Sequence, residues 1–239
     1  MNSNSNISLQ RKVHRQWLKF WFRPVRVFCF HQVSDAFDSD TMWEGDWTQT
    51  DVFKSKISEL KKIYTFVSLT EAFRHIADDK LRLKKYAALT ADDGWASIKN
   101  ILPWLAEQGI PVTLFLNPLY LDGKHFQSRS TEEFLTREEV ATLVRRYKPF
   151  ITIASHGWSH TSCLEMSDEE FMESVNRAEK DLAEMEGKLP FYAFTFGHSR
   201  YSQIRYLQSK SLVPVLVADE MNYHSTCVFR ECIDVGFVA

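Results

Sequence analysis

From about residue 25 to the end, the hydrophobic pattern alternates between two periods. Short apolar runs rich in β-branched and aromatic residues read as strands: "VRVFCFH", "YTFVSL", "KYAALTA", "IPVTLFLN", "FITIAS", "FYAFTFG", "LVPVLVA" and "TCVFREC". Between them lie segments with apolar residues three and four apart, which read as helices. "TQTDVFKSKISELKKI" puts Phe53, Ile57 and Leu60 on one face behind a Thr/Asp cap, and "TEAFRHIAD" is a short helix also capped by Thr. "WASIKNILPWLAEQG" predicts one helix that starts directly after "DDG" and ends at Gly109. "TREEVATLVRRY" and the long "SDEEFMESVNRAEKDLAEMEG" complete the helices. Alternating strand and helix, with no repeat and no Pro/Gly-rich linker, predicts one parallel α/β unit, a barrel or an open sheet. Chemistry in such folds gathers at the C-terminal ends of the strands.

The first residues break the pattern. "MNSNSNIS" is polar and low in complexity, and "LQRKVHRQWLKFWF" has the spacing of a short basic amphipathic helix that Pro24 ends. Residues 1–24 are therefore set apart as a basic extension, and 25–239 as the folded domain. Residues 1–30 carry six basic side chains and no acid, so a formal net charge of -2 overall leaves the remainder at -8. That balance speaks against a nucleic-acid binder. Five basic side chains within residues 9–23, interleaved with Trp17, Phe20, Trp21 and Phe22, fit contact with an anionic membrane through that segment; a helix packed on the domain is the competing reading. No apolar run approaches the ~20 residues of a membrane span, and "RKVHRQWLKFWFRPVR" interleaves charges with aromatics where a secretory h-region would be apolar. The expectation is a cytoplasmic protein, peripheral to the membrane at most. The four cysteines show no CxxC or disulfide spacing and read as free thiols.

Two stretches carry chemistry. In "LTADDGW", Asp92 and Asp93 stand side by side at the end of an apolar strand, where adjacent like charges repel unless something compensates. In "SHGWSH", His156 and His160 stand four apart at the end of another strand. Each is weak alone, since acids are favoured at a helix N-terminus and paired histidines are common in surface turns. Together, two imidazoles and one carboxylate make a three-ligand set for a divalent cation with open positions. A bound cation offsets the carboxylate repulsion and leaves the second Asp free as a base. Trp43, Trp47, Trp95 and Trp158 sit in loops or beside these motifs, where exposed aromatics suit sugar faces, whereas Trp104 reads as core.

These stretches resemble the motifs of the polysaccharide deacetylase family, the NodB-homology carbohydrate esterases (family 4-like). "LTADDGWAS" resembles the first motif, TFDDG. "SHGWSH" resembles the second, H-S/T-x-x-H, with Gly157 for the usual Ser or Thr. "FYAFTFG" resembles the third, with Thr195 in place of proline. "FCFHQV" resembles the segment that opens the poly-N-acetylglucosamine deacetylase branch. The resemblance spans roughly residues 25–235. It implies a distorted (β/α) barrel of about seven strands. It also implies a metal-dependent hydrolase that removes N-acetyl groups from an amino sugar or polysaccharide precursor. Carried over by position, it makes Asp92 the base and Asp93, His156 and His160 the ligands of one metal ion, zinc first, with Co2+ or Ni2+ as alternatives. It gives the oxyanion to the Phe196 N–H, and it matches Arg230 to a late Arg of the same branch. Ala193 stands where many members have an Arg that orients the base, and no L-x-x-H supplies the usual acid. His31, ending the first strand, is the candidate acid, with His224 the fallback, and Trp158 is a candidate wall of the substrate site. Two rivals differ in class: a 2-His-1-carboxylate Fe(II) oxygenase, and a glycan-binding protein that keeps the fold without turnover.

Overall fold

In the computed structural model, residues 25–35, 46–78, 84–121, 134–217, 222 and 226–234 are described. The basic extension, Trp43 and His224 lie outside them. Ten strands occur among the described residues: β1 (Arg26–Phe30), β2 (Gln32–Ser34), β3 (Trp47–Gln49), β4 (Thr65–Phe66), β5 (Tyr86–Ala91), β6 (Val112–Leu116), β7 (Ile151–Ser155), β8 (Lys188–Ala193), β9 (Val213–Val217) and β10 (Val228–Cys232). Seven of them form a closed parallel barrel in the order β1-β10-β9-β8-β7-β6-β5, sealed where Val27 and Phe28 of β1 stand opposite Ala88 and Leu89 of β5. β4 adds only to the start of β5, and β2 pairs with β3 apart from the barrel. The expected α/β barrel of about seven strands is the observed fold.

Period-two alternation distributes the strand residues. Ala88, Phe115, Ala154, Val215 and Val228 fall in one apolar cluster with helix α2 (Leu69–Ala77). Their neighbours Leu89, Leu114 and Ile153 fall in another with α1 (Thr50–Ile63), α3 (Leu102–Glu107) and α5 (Arg137–Arg146). The short α4 (Pro118–Leu121) follows β6, and α6 (Asp168–Leu182) and α7 (Tyr201–Ser209) cover β8 through Phe171, Tyr192, Phe194 and Leu207. With both faces buried, the strands read as near-continuous apolar runs.

Several expected boundaries moved for local reasons. The helix after "DDG" is split into a 3-10 turn at Ala96–Asn100 and α3, because Pro103 can occupy a first helical turn but not an interior position. α2 is capped by Ser68, whose hydroxyl accepts from the Glu71 N–H, not by Thr70. α1 has Gln49 at its N-cap with no side-chain cap; Thr48 belongs to β3 and donates its hydroxyl to Asp234 instead. "YTFVSL" yields only a two-residue strand. α7 was not anticipated. α5 and α6 start as expected, each with a capping box, Thr136 with Glu139 and Ser167 with Glu170.

The turn after β8 holds Gly197 at φ +70, where a Cβ would stand 2.7 Å from Val217 Cβ and 3.1 Å from the Val217 backbone nitrogen. Gly197→Ala meets backbone strain and a clash with β9 together, so it should destabilise the fold by about 2 kcal/mol or more. The check is a lower urea midpoint at unchanged m; an unchanged midpoint would mean the β8–β9 junction relaxes freely.

Candidate active site

The C-terminal ends of β1, β5, β7, β8, β9 and β10 converge on a cavity of ≈ 230 Å³ lined by His31, Asp46, Asp92, Asp93, His156 and His160, with Phe196, Gly197 and Cys232 completing the wall. Asp92 follows β5 directly, its N–H donating to the Phe30 carbonyl as an extension of the β1–β5 ladder. Arg230 projects from β10 into the barrel and grips both its oxygens, Nη1 to Oδ1 at 2.5 Å and Nη2 to Oδ2 at 2.7 Å. The same Nη1 donates to Thr90 Oγ1, which donates in turn to the Phe28 carbonyl, and the guanidinium lies 5.0 Å from the Phe115 ring centre. Burial alone would raise the Asp92 pKa. The Arg230 charge, with His156 and the bidentate hydrogen bonds, outweighs it and holds the carboxyl well below the usual range.

Asp93 turns the other way. Its backbone is left-handed at φ 67, and Trp95 Nε1 donates to its Oδ2 at 3.0 Å. The other oxygen, Oδ1, is buried without a hydrogen-bond partner, 3.2 Å from His160 Nε2 and 3.4 Å from His156 Nε2. His156 donates from Nδ1 to the Ala193 carbonyl, which leaves Nε2 with its lone pair toward Asp93. Burial also lowers its pKa and favours the neutral ring. Asn117 donates its amide to the His156 carbonyl at 2.6 Å and fixes the loop that carries the second imidazole. An orphaned carboxylate oxygen facing two imidazole nitrogens is the arrangement a divalent cation satisfies, so Asp93, His156 and His160 could hold one.

Four non-glycine residues among those described have positive φ, and three belong to this site: Asp93, His160 (φ 53) and Phe196 (φ 57). Each left-handed residue costs about 1–2 kcal/mol, a strain that concentrates where side chains must be aimed. Phe196 is 50% exposed, lines the cavity and carries its ring 4.8 Å from that of His160.

On the opposite wall, His31 Nδ1 lies 2.7 Å from Oδ2 of Asp234, whose Oδ1 accepts from the His31 N–H and Thr48. Burial disfavours the imidazolium, but the hydrogen bond and charge of Asp234 outweigh it and raise the His31 pKa well above the ordinary value. Asp234 escaped the sequence reading because 203 residues separate it from His31. Asp46 escaped it too; it lines the same cavity, and burial pushes its carboxyl up. Of the residues singled out in the sequence, Asp92, Asp93, His156, His160, His31 and Phe196 meet at the cavity, and Arg230 supports it from inside the barrel. Trp158 does not line the cavity; its ring faces the Arg177 guanidinium at 3.9 Å. Trp95, expected as an exposed aromatic, is buried against Phe134 because its indole N–H holds Asp93.

Removing one partner of the Asp92–Arg230 pair strands a buried charge. Arg230→Met should destabilise by about 3–5 kcal/mol. Adding Asp92→Asn to it should recover much of that loss, because no charge is then left alone. A double-mutant cycle in urea checks this, and additivity within about 0.5 kcal/mol would show the two are not coupled.

Residues 80–212 match the profile of the polysaccharide deacetylase family, more than half of the chain. No curated protein sequence matches it. Among solved structures, IcaB from Ammonifex degensii superposes with a TM-score of 0.73 at 17% identity, covering 88% of this chain and 92% of that one. A de-N-acetylase from Aggregatibacter actinomycetemcomitans gives 0.73 at 18% identity, with 88% and 95% covered. Streptococcus pyogenes deacetylase PplD in complex with acetate gives 0.72 at 16%, with 88% and 92% covered. At such identities these likenesses speak to the fold alone. With the two motifs seated at the mouth of a seven-stranded barrel and the profile match across them, this chain belongs to the polysaccharide deacetylase family.

Proposed function

We propose that the protein is a metal-dependent N-deacetylase acting on an N-acetylated amino sugar or a polysaccharide precursor. The observation that carries this reading is the pairing, in one cavity, of a carboxylate held ionised with an imidazole biased toward its charged form. Environments that push two titratable groups apart in this way divide the base role from the acid role. Asp93, His156 and His160 hold the cation, with zinc the first choice for two imidazoles and one carboxylate. When bound, a divalent ion there polarises the acetyl carbonyl and lowers the pKa of a water from 15.7 toward ~7.

The rest falls to the chain itself. Asp92 accepts the proton that the attacking water gives up. Its clamp by Arg230 makes it a weak base, but one that is ionised and aimed across the working pH range. The Phe196 N–H, presented by a left-handed turn at the cavity wall, donates to the oxyanion; one well-placed donor contributes about 3–4 kcal/mol. His31, oriented through Nδ1 by Asp234, delivers a proton to the nitrogen as the C–N bond breaks, giving acetate and the free amine. Acetate is also the ligand of the PplD structure. A cavity of this size suits one acetamido group and part of its sugar ring, the remainder of the glycan lying outside.

The test is release of acetate from N-acetylglucosamine oligomers by the zinc-loaded protein. Asp92→Asn should keep zinc at Asp93, His156 and His160 and lose nearly all turnover. Acetate release by that variant at a near-normal rate places the base elsewhere, and none by the native protein with zinc bound favours a glycan-binding role.

His31→Ala should retain zinc and fold yet slow amide hydrolysis by about 10²-fold or more. An activated acetyl ester, whose leaving group needs little protonation, should be affected much less. Because the proton is present below the His31 pKa and absent above it, the native enzyme should lose amide activity as pH rises through that value, and the variant should lack this limb. Equal losses on amide and ester would assign His31 to structure or substrate binding instead.

A further inference from the structure

The wall behind His31 holds more chemistry than proton donation needs. Cys232 Sγ donates to Asp234 Oδ2 at 3.1 Å, the same oxygen that faces His31 Nδ1 at 2.7 Å, and Sγ and Nδ1 stand 4.0 Å apart. Three potential ligand atoms of three kinds (a thiol, an imidazole and a carboxylate) thus lie around one point, separate from the Asp93, His156 and His160 group. The cluster is built by barrel closure. Cys29 of β1 is the register partner of Cys232 of β10, and His31 and Asp234 each follow two residues later. Asp234 is buried, whereas His31 and Cys232 line the cavity, so the cluster has a dry floor and an open side.

We infer that His31, Cys232 and Asp234 form a second cation site, taking a thiophilic divalent ion such as Zn2+, Co2+ or Cd2+ from the active-site cavity, and that filling it silences the proton donor. Thiolate, imidazole and carboxylate together are a ligand set for these ions rather than for Mg2+ or Ca2+. Tetrahedral coordination at ordinary Zn–N, Zn–O and Zn–S lengths separates the ligand atoms by about 3.4–3.6 Å. The three observed separations bracket that range, so small side-chain adjustments suffice. Charge also balances. The imidazolium, thiol and carboxylate sum to zero. Loss of the Nδ1 and Sγ protons with gain of one M2+ sums to zero again, so filling the site leaves no net charge in a buried place. The cavity offers a water as the fourth ligand. With Nδ1 bound to the ion, His31 is a neutral ring and no longer an imidazolium that can protonate a leaving amine. The inhibition rests on the deacetylase reading above; the binding does not.

The sulfur ligand makes the two sites distinguishable without turnover, because only the second can give a thiolate-to-Co2+ charge-transfer absorption. Metal-free full-length protein is titrated with Co2+. The native protein should bind two equivalents and develop the band. Asp93→Ala should bind one equivalent and keep the band, and Cys232→Ser should bind one and lack it. No band in the native protein, or a band that survives in Cys232→Ser, overturns the site. For the inhibition, acetate release with excess Zn2+ is compared with release at one equivalent, within each protein. The native ratio should fall by about 10²-fold, as for loss of a general acid, and the Cys232→Ser ratio should stay near one. Equal inhibition of both overturns the regulatory role. Two equivalents with the band, in a protein that never releases acetate, support the site and overturn the deacetylase reading instead.

Discussion

A guanidinium with no exposed surface sits inside the barrel at Arg230, and the geometry of the cavity follows from how that charge is satisfied. An unpaired ion there would cost several kcal/mol. Asp92 answers it with both oxygens, Thr90 accepts a second hydrogen bond from the same Nη1, and the Phe115 ring offers its face. Strands β5 and β6 are thereby tied to one side chain of β10. The same contacts fix Asp92 so that its carboxylate cannot swing to join its neighbour. Adjacent aspartates at a strand end are tolerable because one is neutralised from inside the barrel while the other turns to the imidazoles. Ala193, where the family resemblance places an Arg in many members, does not leave Asp92 unsupported, since Arg230 of β10 supplies a cation.

The left-handed turn at Asp93 completes the separation. A residue in the extended continuation of β5 would alternate toward the outer layer. Positive φ, held by the indole of Trp95 and followed by Gly94 at φ +79, redirects the carboxylate across the barrel mouth to His156 and His160. His160 and Phe196 adopt the same conformation on facing loops. Strain is thus concentrated at three residues around one cavity, and the barrel's closed hydrogen bonding and two apolar layers hold it there.

Much of this was legible in the chain. Strand and helix periods gave the parallel α/β barrel, because strands buried on both faces and helices buried on one leave different apolar rhythms. Asp92, Asp93, His156 and His160 stood out because each pair lies within a few residues and directly after a strand. Errors were local. Pro103 broke a helix that apolar spacing alone made continuous, Ser68 rather than Thr70 capped α2, and α7 went unread although Ile204 and Leu207 stand at helical spacing. Trp95 looked like a sugar platform because an indole's hydrogen-bond partner cannot be read from its neighbours in sequence.

The first and last strands mark the boundary between the two kinds of knowledge. The sequence by itself determined that an apolar strand ends at His31 and that another contains Arg230 and Cys232. Only closure of the barrel, which sets β1 beside β10 in register at Cys29 and Cys232, brought Asp234 onto His31 and Arg230 onto Asp92. Local periodicity encodes which residues face inward, since that depends on neighbours two to four positions away. Which inward residue meets which depends on strand register across some two hundred residues, and that is fixed by packing the whole barrel at once.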